Sequence, residues 1–117
     1  AIKNIEESGL TNIQIINADA LETNLEGKFD LIFIDAAKGQ YPVFLSESLR
    51  LLNKNGIIIA DNILFNGYVA DGKPDRHRNK TIVVRLNAFL NELENTENLK
   101  TVLLPISDGV SLSYKLE

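Results

Sequence analysis

The chain has 117 residues, of which 44% are hydrophobic and 24% charged, and a net charge of −4, the profile of at most one ordinary globular domain. It holds no cysteine, which excludes disulfides, thiolate metal sites and a cysteine nucleophile. No apolar run approaches the roughly 18 residues of a membrane span, and no basic-then-apolar leader opens the sequence, so the expectation is a cytoplasmic protein with no membrane partner.

Taken in chain order, Ile2 and Ile5 share a helical face and Gly9 fits a C-terminal cap. Residues 13–17 (Ile-Gln-Ile-Ile-Asn) read as a strand, closed by Ala18-Asp19-Ala20, and residues 23–28 read as a polar loop. Residues 30–34 are a near-continuous apolar run, as expected of a strand covered on both faces. Gly39 breaks the chain, and Pro42 suits a first helical turn. Phe44, Leu45, Leu49 and Leu52 follow at helical spacing, and residues 53–56 end that helix. Residues 57–60 form the next buried strand, and residues 62–78 a long polar loop, a length that in a compact domain is usually functional or disordered.

From about residue 79 to 95, Ile82, Val83, Leu86, Phe89, Leu90 and Leu93 mark an amphipathic helix. Residues 99–104 and 110–116 are strand-like and are separated by a turn containing Asp108-Gly109, which predicts an antiparallel pair. The order is α β β α β α β β. Because the sequence has no methionine and opens inside a helical pattern, it reads as part of a longer protein.

Two strand ends carry the chemistry. The run ending at Ile34 stops at Asp35-Ala36-Ala37-Lys38, and the run ending at Ala60 stops at Asp61-Asn62. Open α/β sheets bind ligands outside the carboxyl ends of their strands. Neighbouring strands lie about 4.8 Å apart, so Asp35, Asp61 and Asn62 could surround one hard cation with Lys38 close by. Singly, each Asp more often caps a helix or closes a turn; their joint placement with Asn62 favours a site. Residues 73–80 carry a net +3, leaving −7 on the rest of the chain, so one basic segment stands on an acidic body. That segment suits a phosphate-contacting surface or a plain solvated loop. His77, between Arg76 and Arg78, reads as a solvent-facing side chain. Tyr41, Phe65 and Tyr68 are candidate walls of a substrate pocket, with core packing the alternative for Phe65.

Strand–Asp35-Ala36-Ala37-Lys38, strand–Asp61-Asn62, Gly67-Tyr68-Val69, and Leu104-Pro105-Ile106 followed by Asp108-Gly109 and a last strand together resemble the divalent-metal-dependent O-methyltransferases. This family includes the catechol and caffeoyl-CoA O-methyltransferases and their bacterial relatives. The likeness runs from about Ile13 to the C-terminus. The segments around Ala36-Ala37-Lys38-Gly39-Gln40-Tyr41, Asn62-Ile63-Leu64-Phe65 and Arg76-His77-Arg78 resemble in particular the bacterial enzymes that methylate 5-hydroxyuridine in tRNA.

The resemblance implies a Rossmann-like class I methyltransferase α/β sheet, mostly parallel with an antiparallel C-terminal hairpin. The family strand order is three-two-one-four-five-seven-six. The strands of this chain would be numbers three to seven, with the first two, and the glycine-rich loop that cradles S-adenosylmethionine, lying upstream. On that reading the chain is the C-terminal part of one methyltransferase domain and is inactive alone. Its exposed sheet edges predict a homodimer.

The resemblance further implies S-adenosylmethionine and Mg²⁺ or another divalent cation as cofactors. It makes Asp35, Asp61 and Asn62 the metal ligands, Lys38 the catalytic base, and Asp19, Ala20 and Asp35 neighbours of the cofactor. Mg²⁺ takes six oxygens at about 2.1 Å, so three protein ligands leave room for a substrate with two adjacent oxygens, such as 5-hydroxyuridine in tRNA or a small catechol. A phosphoacceptor receiver domain is a weaker rival, since the acidic pair and the Lys-Pro that it needs are both missing.

Overall fold

The computed structural model describes residues 1–65, 67–71 and 77–116. Its elements are α1 (Ile2–Ser8), β1 (Phe29–Ile34), a 3-10 turn (Lys38–Gln40), α2 (Tyr41–Leu51), β2 (Leu52–Asp61), α3 (Tyr68–Asp71), α4 (His77–Asn95), β3 (Leu99–Leu104) and β4 (Val110–Lys115). The strands form a four-stranded sheet in the order β1-β2-β4-β3. β1 and β2 are parallel, whereas β4 runs antiparallel to both β2 and β3. This is the four-five-seven-six portion of the expected order, closed by the expected hairpin.

Helices α2 and α4 fill the inner face of the sheet. Ile34, Ile58 and Ala60 project from the strands into a core with Tyr41 and Leu45 of α2 and Leu86, Phe89 and Leu93 of α4. Fully burying an aliphatic or aromatic side chain of this kind stabilises by about 1.5–3 kcal/mol. On the opposite face Phe33, Ile59, Leu112 and Val102 stand in one row across all four strands. Phe33 and Val102 are more than half exposed there. At the N-terminus, α1 ends as its sequence requires: Gly9 adopts φ 69° and its N–H donates to the Glu6 carbonyl.

Three expectations need correction. Residues 13–17 do not form a strand, and Ile13, Ile15 and Ile16 are exposed. A strand is held by its ladder partner, and residues 13–17 pair with none, while β1 pairs only with β2 among the described residues. Among the described residues only one strand pair, β1 with β2, is therefore parallel.

The helix expected to end over residues 53–56 already ends at Leu51, and the strand expected over 57–60 begins at Leu52. Its register to β1 jumps from Phe29↔Leu52 to Leu31↔Ile57, so residues 53–56 bulge out of the ladder. Gly56 is needed in that bulge, because a Cβ would meet Leu52 Cδ1 at 2.6 Å and the Asn53 carbonyl at 2.8 Å. Asn53 and Asn55 anchor the bulge through bonds with Asp30 (2.8 Å) and the Tyr114 hydroxyl (2.9 Å).

The third correction concerns residues 62–78, which are not one continuous loop: Tyr68–Asp71 is helical and α4 already begins at His77. Residues 66 and 72–76, including half of the basic segment, lie outside the described residues, as do the side chains of Tyr68, His77 and Arg78.

Candidate active site

The parallel register places the two carboxylates. Ile34 of β1 is paired with Ala60 of β2, so Asp35, the first residue after β1, and Asp61, the last of β2, stand at adjacent strand ends. Asp61 is still paired to Val110 of β4, while Asp35 opens an exposed stretch. Asn62 turns the chain with φ 57°, a left-handed conformation that Asn tolerates better than most residues. Its N–H donates to Asp61 Oδ1 at 2.8 Å. The turn that follows docks on the hairpin between β3 and β4: the Ile63 and Leu64 amides donate to the Gly109 and Asp108 carbonyls at 3.2 and 2.9 Å. Gly109 has φ 84°, and a Cβ there would fall 2.5 Å from Leu64 Cγ. The Asp108-Gly109 signal thus marks both a hairpin turn and the seat of the Asn62 loop.

Lys38 begins the 3-10 turn, in which the Gln40 amide donates to the Ala37 carbonyl at 2.9 Å. Its ammonium lies 5.8 Å from the centroid of the Phe65 ring, within cation–π reach. Arg85 of α4 donates to the Gly39 carbonyl at 3.1 Å and so ties this turn to the helix. Lys38, Gln40, Phe65, Thr81 and Arg85 line an open cleft of about 530 Å³. Two cations and an aromatic ring face one space, an arrangement suited to a flat, anionic or oxygen-rich ligand. On the other side of the Asp35 strand end, Ala20 and Asp35 line a second, smaller cleft of about 230 Å³ with Phe33 and Phe44.

The structure therefore brings Asp35, Asp61, Asn62 and Lys38 to one end of the sheet, and Ala20 to the cleft beside Asp35. Asp19 closes a local turn: its Oδ1 accepts from the Leu21 amide at 2.9 Å, and its carbonyl accepts from the Thr23 hydroxyl at 2.6 Å. Phe65 both lines the larger cleft and packs on the core. Tyr41 does not wall a pocket. It is fully buried, meets the Phe89 ring edge-on at 5.4 Å, and donates its hydroxyl to the Asp61 carbonyl at 2.7 Å. Burial raises its pKa most; the Ala36 backbone amide opposes that shift, and the Asp35 and Asp61 carboxylates add to it.

Sequence reasoning missed the bond from Tyr41 and the placement of Arg85. A tyrosine rather than a phenylalanine at a buried helix start was the available signal for the first. Arg85 sits one turn from Ile82, at the margin of the apolar stripe of α4, and nothing in the sequence distinguishes it from a solvated arginine.

Two carboxylates and an amide oxygen are hard donors that suit Mg²⁺ or a similar divalent cation. No group of three His, Cys, Asp or Glu side chains gathers among the described residues, so a cation here depends on Asn62 as third ligand. The donor chemistry fits such an ion.

Sheet order, crossing helices and strand-end site together define a Rossmann-like methyltransferase architecture. The family model for O-methyltransferases matches residues 2–116, and the chain belongs to that family. It is 33% identical over 98 residues to the probable caffeoyl-CoA O-methyltransferase 1 of Dictyostelium discoideum, covering 84% of this chain and 41% of that protein. It is 38% identical over 78 residues to the catechol O-methyltransferase of Niastella koreensis, covering 61% of this chain and 35% of that one. The SAH-bound Podospora anserina methyltransferase PaMTH1 superposes with a TM-score of 0.82 at 29% identity, over 99% of this chain and 55% of its own. The chain thus spans about half, or less, of the length of these relatives.

Proposed function

We propose that the protein transfers a methyl group from S-adenosylmethionine to a substrate hydroxyl held beside a divalent cation. The observation that carries this reading is the Ile34↔Ala60 register, which sets Asp35 and Asp61 at adjacent strand ends with Asn62 and Lys38 beside them. Asp35, Asp61 and Asn62 would hold the cation, which supplies Lewis acidity and a template for two adjacent substrate oxygens. Lys38, at the mouth of the larger cleft, takes the hydroxyl proton. Phe65 gives a flat substrate an apolar wall, and Arg85 offers a cation to an anionic one. Ala20 and Asp35 face the cleft in which the cofactor would lie, with Asp19 on the adjoining turn. S-adenosylmethionine provides the electrophilic methyl group, and positioning of this kind can supply several kcal/mol of the barrier reduction.

The substrate we infer is 5-hydroxyuridine in tRNA. The sequence resemblance around residues 36–41 and the basic segment at residues 73–80 support it. A small catechol-type substrate is the second reading, favoured by the match to a catechol O-methyltransferase. A homodimer completes the proposal and is checked by sedimentation.

The deciding experiment supplies labelled S-adenosylmethionine and Mg²⁺ with undermodified tRNA or with catechol, and follows methyl transfer. It is run on protein that carries a glycine-rich cofactor loop, which these 117 residues do not contain. Label in tRNA that disappears with chelator and in Asp61→Asn supports the first reading, and label in catechol alone supports the second. Transfer to neither, or transfer that survives Asp61→Asn, defeats the mechanism.

A further inference from the structure

We propose that Tyr41 is a positioning residue that pins the Asp35–Lys38 loop to the Asp61 strand end and so sets the spacing of the metal ligands; the inference rests on the divalent-cation reading above. The β1–β2 ladder ends at Ile34↔Ala60, and the chain beyond Ile34 leaves the sheet. Asp35 and Lys38 therefore sit on a loop that the ladder does not hold, while Asp61 is fixed by its pairing with Val110 of β4. The Tyr41 side chain reconnects them. Tyr41 starts α2, six residues after Asp35, and its hydroxyl donates to the Asp61 backbone carbonyl at 2.7 Å.

The anchor is rigid. The Tyr41 ring is fully buried and braced edge-on by Phe89 of α4. The loop from Asp35 through Lys38 to Tyr41 thus closes on the strand that carries the other ligand. A small divalent cation demands nearly ideal octahedral geometry, so a loop free to wander would weaken its binding. Phenylalanine would fill the same space, yet it would leave the Asp61 carbonyl without this donor and loosen the Asp35 end of the loop from the Asp61 strand, a link that the Arg85 bond to Gly39 does not supply. Groups that orient metal ligands without touching the metal typically account for 10–100-fold in affinity.

The test measures Mn²⁺ binding to the full chain by the electron paramagnetic resonance signal of free Mn²⁺. Wild type, Asp61→Asn and Tyr41→Phe are compared, with circular dichroism melts on each. The expected result is loss of binding in Asp61→Asn and about tenfold weaker binding in Tyr41→Phe, with the folded spectrum of Tyr41→Phe intact. Wild-type affinity in Tyr41→Phe, beside loss in Asp61→Asn, overturns the role of Tyr41 and leaves the cation reading standing. No binding by wild type overturns both. Should Tyr41→Phe fail to fold, the wild type decides. The Tyr41 ¹³Cζ resonance should move on Mg²⁺ saturation, while that of Tyr114, whose hydroxyl donates to Asn55 at 2.9 Å, stays in place. A stationary Tyr41 resonance overturns the proposal.

Discussion

Residues 13–17 and residues 30–34 are both short, isoleucine-rich runs, and both read as strands; only the second becomes one. Ile32 and Ile34 pair in register with Ile58 and Ala60 and lie beneath α2. Ile13, Ile15 and Ile16 are 43%, 40% and 52% exposed and have no ladder. β-propensity describes how a side chain suits a half-buried pleated surface; it does not provide the neighbouring strand. The same contrast separates the two faces of the sheet. The helix-covered face is a packed core, whereas the row from Phe33 to Val102 is apolar and open.

Core truncation should break the comparison most sharply. Phe89→Ala should cost about 3–5 kcal/mol by urea unfolding, whereas Ile16→Ala should stay within about 0.5 kcal/mol of wild type. Equal losses would mean that residues 13–17 are packed in solution. Next comes the hairpin under the site. Gly109→Ala combines a positive φ with a clash against Leu64, and should cost about 1–3 kcal/mol, with Mn²⁺ affinity falling as the Asn62 loop shifts.

The hydroxyl of Tyr41 is a smaller effect with a definite pH signature. Its folded pKa lies above the ordinary value of 10.0, so the unfolded chain loses the phenolic proton first as pH rises. The stabilisation is fully present below pH 10 and disappears as pH climbs through the folded pKa. The deficit of Tyr41→Phe, about 1 kcal/mol at neutral pH, should therefore shrink above pH 10. The smallest effect is the exposed pair of Glu47 and Arg50 on α2. Its hydrogen bond to Arg50 holds Glu47 below the ordinary value of 4.5. That contribution is present above about pH 4.5 and lost as pH falls through the folded pKa. The urea-midpoint gap between wild type and Glu47→Gln should therefore close towards pH 3.

Much of the site was legible because its signals are local. An apolar run that halts at a carboxylate needs only a few residues to be seen, and Asp35, Asp61 and Asn62 occupy the strand ends expected of them. Residues 53–56 were misread because Asn53, Asn55 and Gly56 carry every mark of a turn, and they are a turn in effect, bulged within a strand that continues around them. Tyr41 was misplaced because an aromatic side chain after a motif suits a pocket wall and a core equally well. What distinguishes them is whether Phe89 of a helix nearly fifty residues away packs against the ring.

Local signals suffice for the helical stripes of α2 and α4, the capped end of α1, the β3–β4 hairpin and the two acidic strand ends. Each depends on residues within a few positions of one another, where periodicity, capping and turn chemistry act. Packing between distant segments settles which isoleucine run acquires a ladder, which face of the sheet is covered, and which cation reaches the cleft. It also decides that the Tyr41 hydroxyl crosses to the Asp61 strand end. Those outcomes depend on partners distant in sequence, and a hydrogen bond or a buried contact is set by where the partner arrives in space.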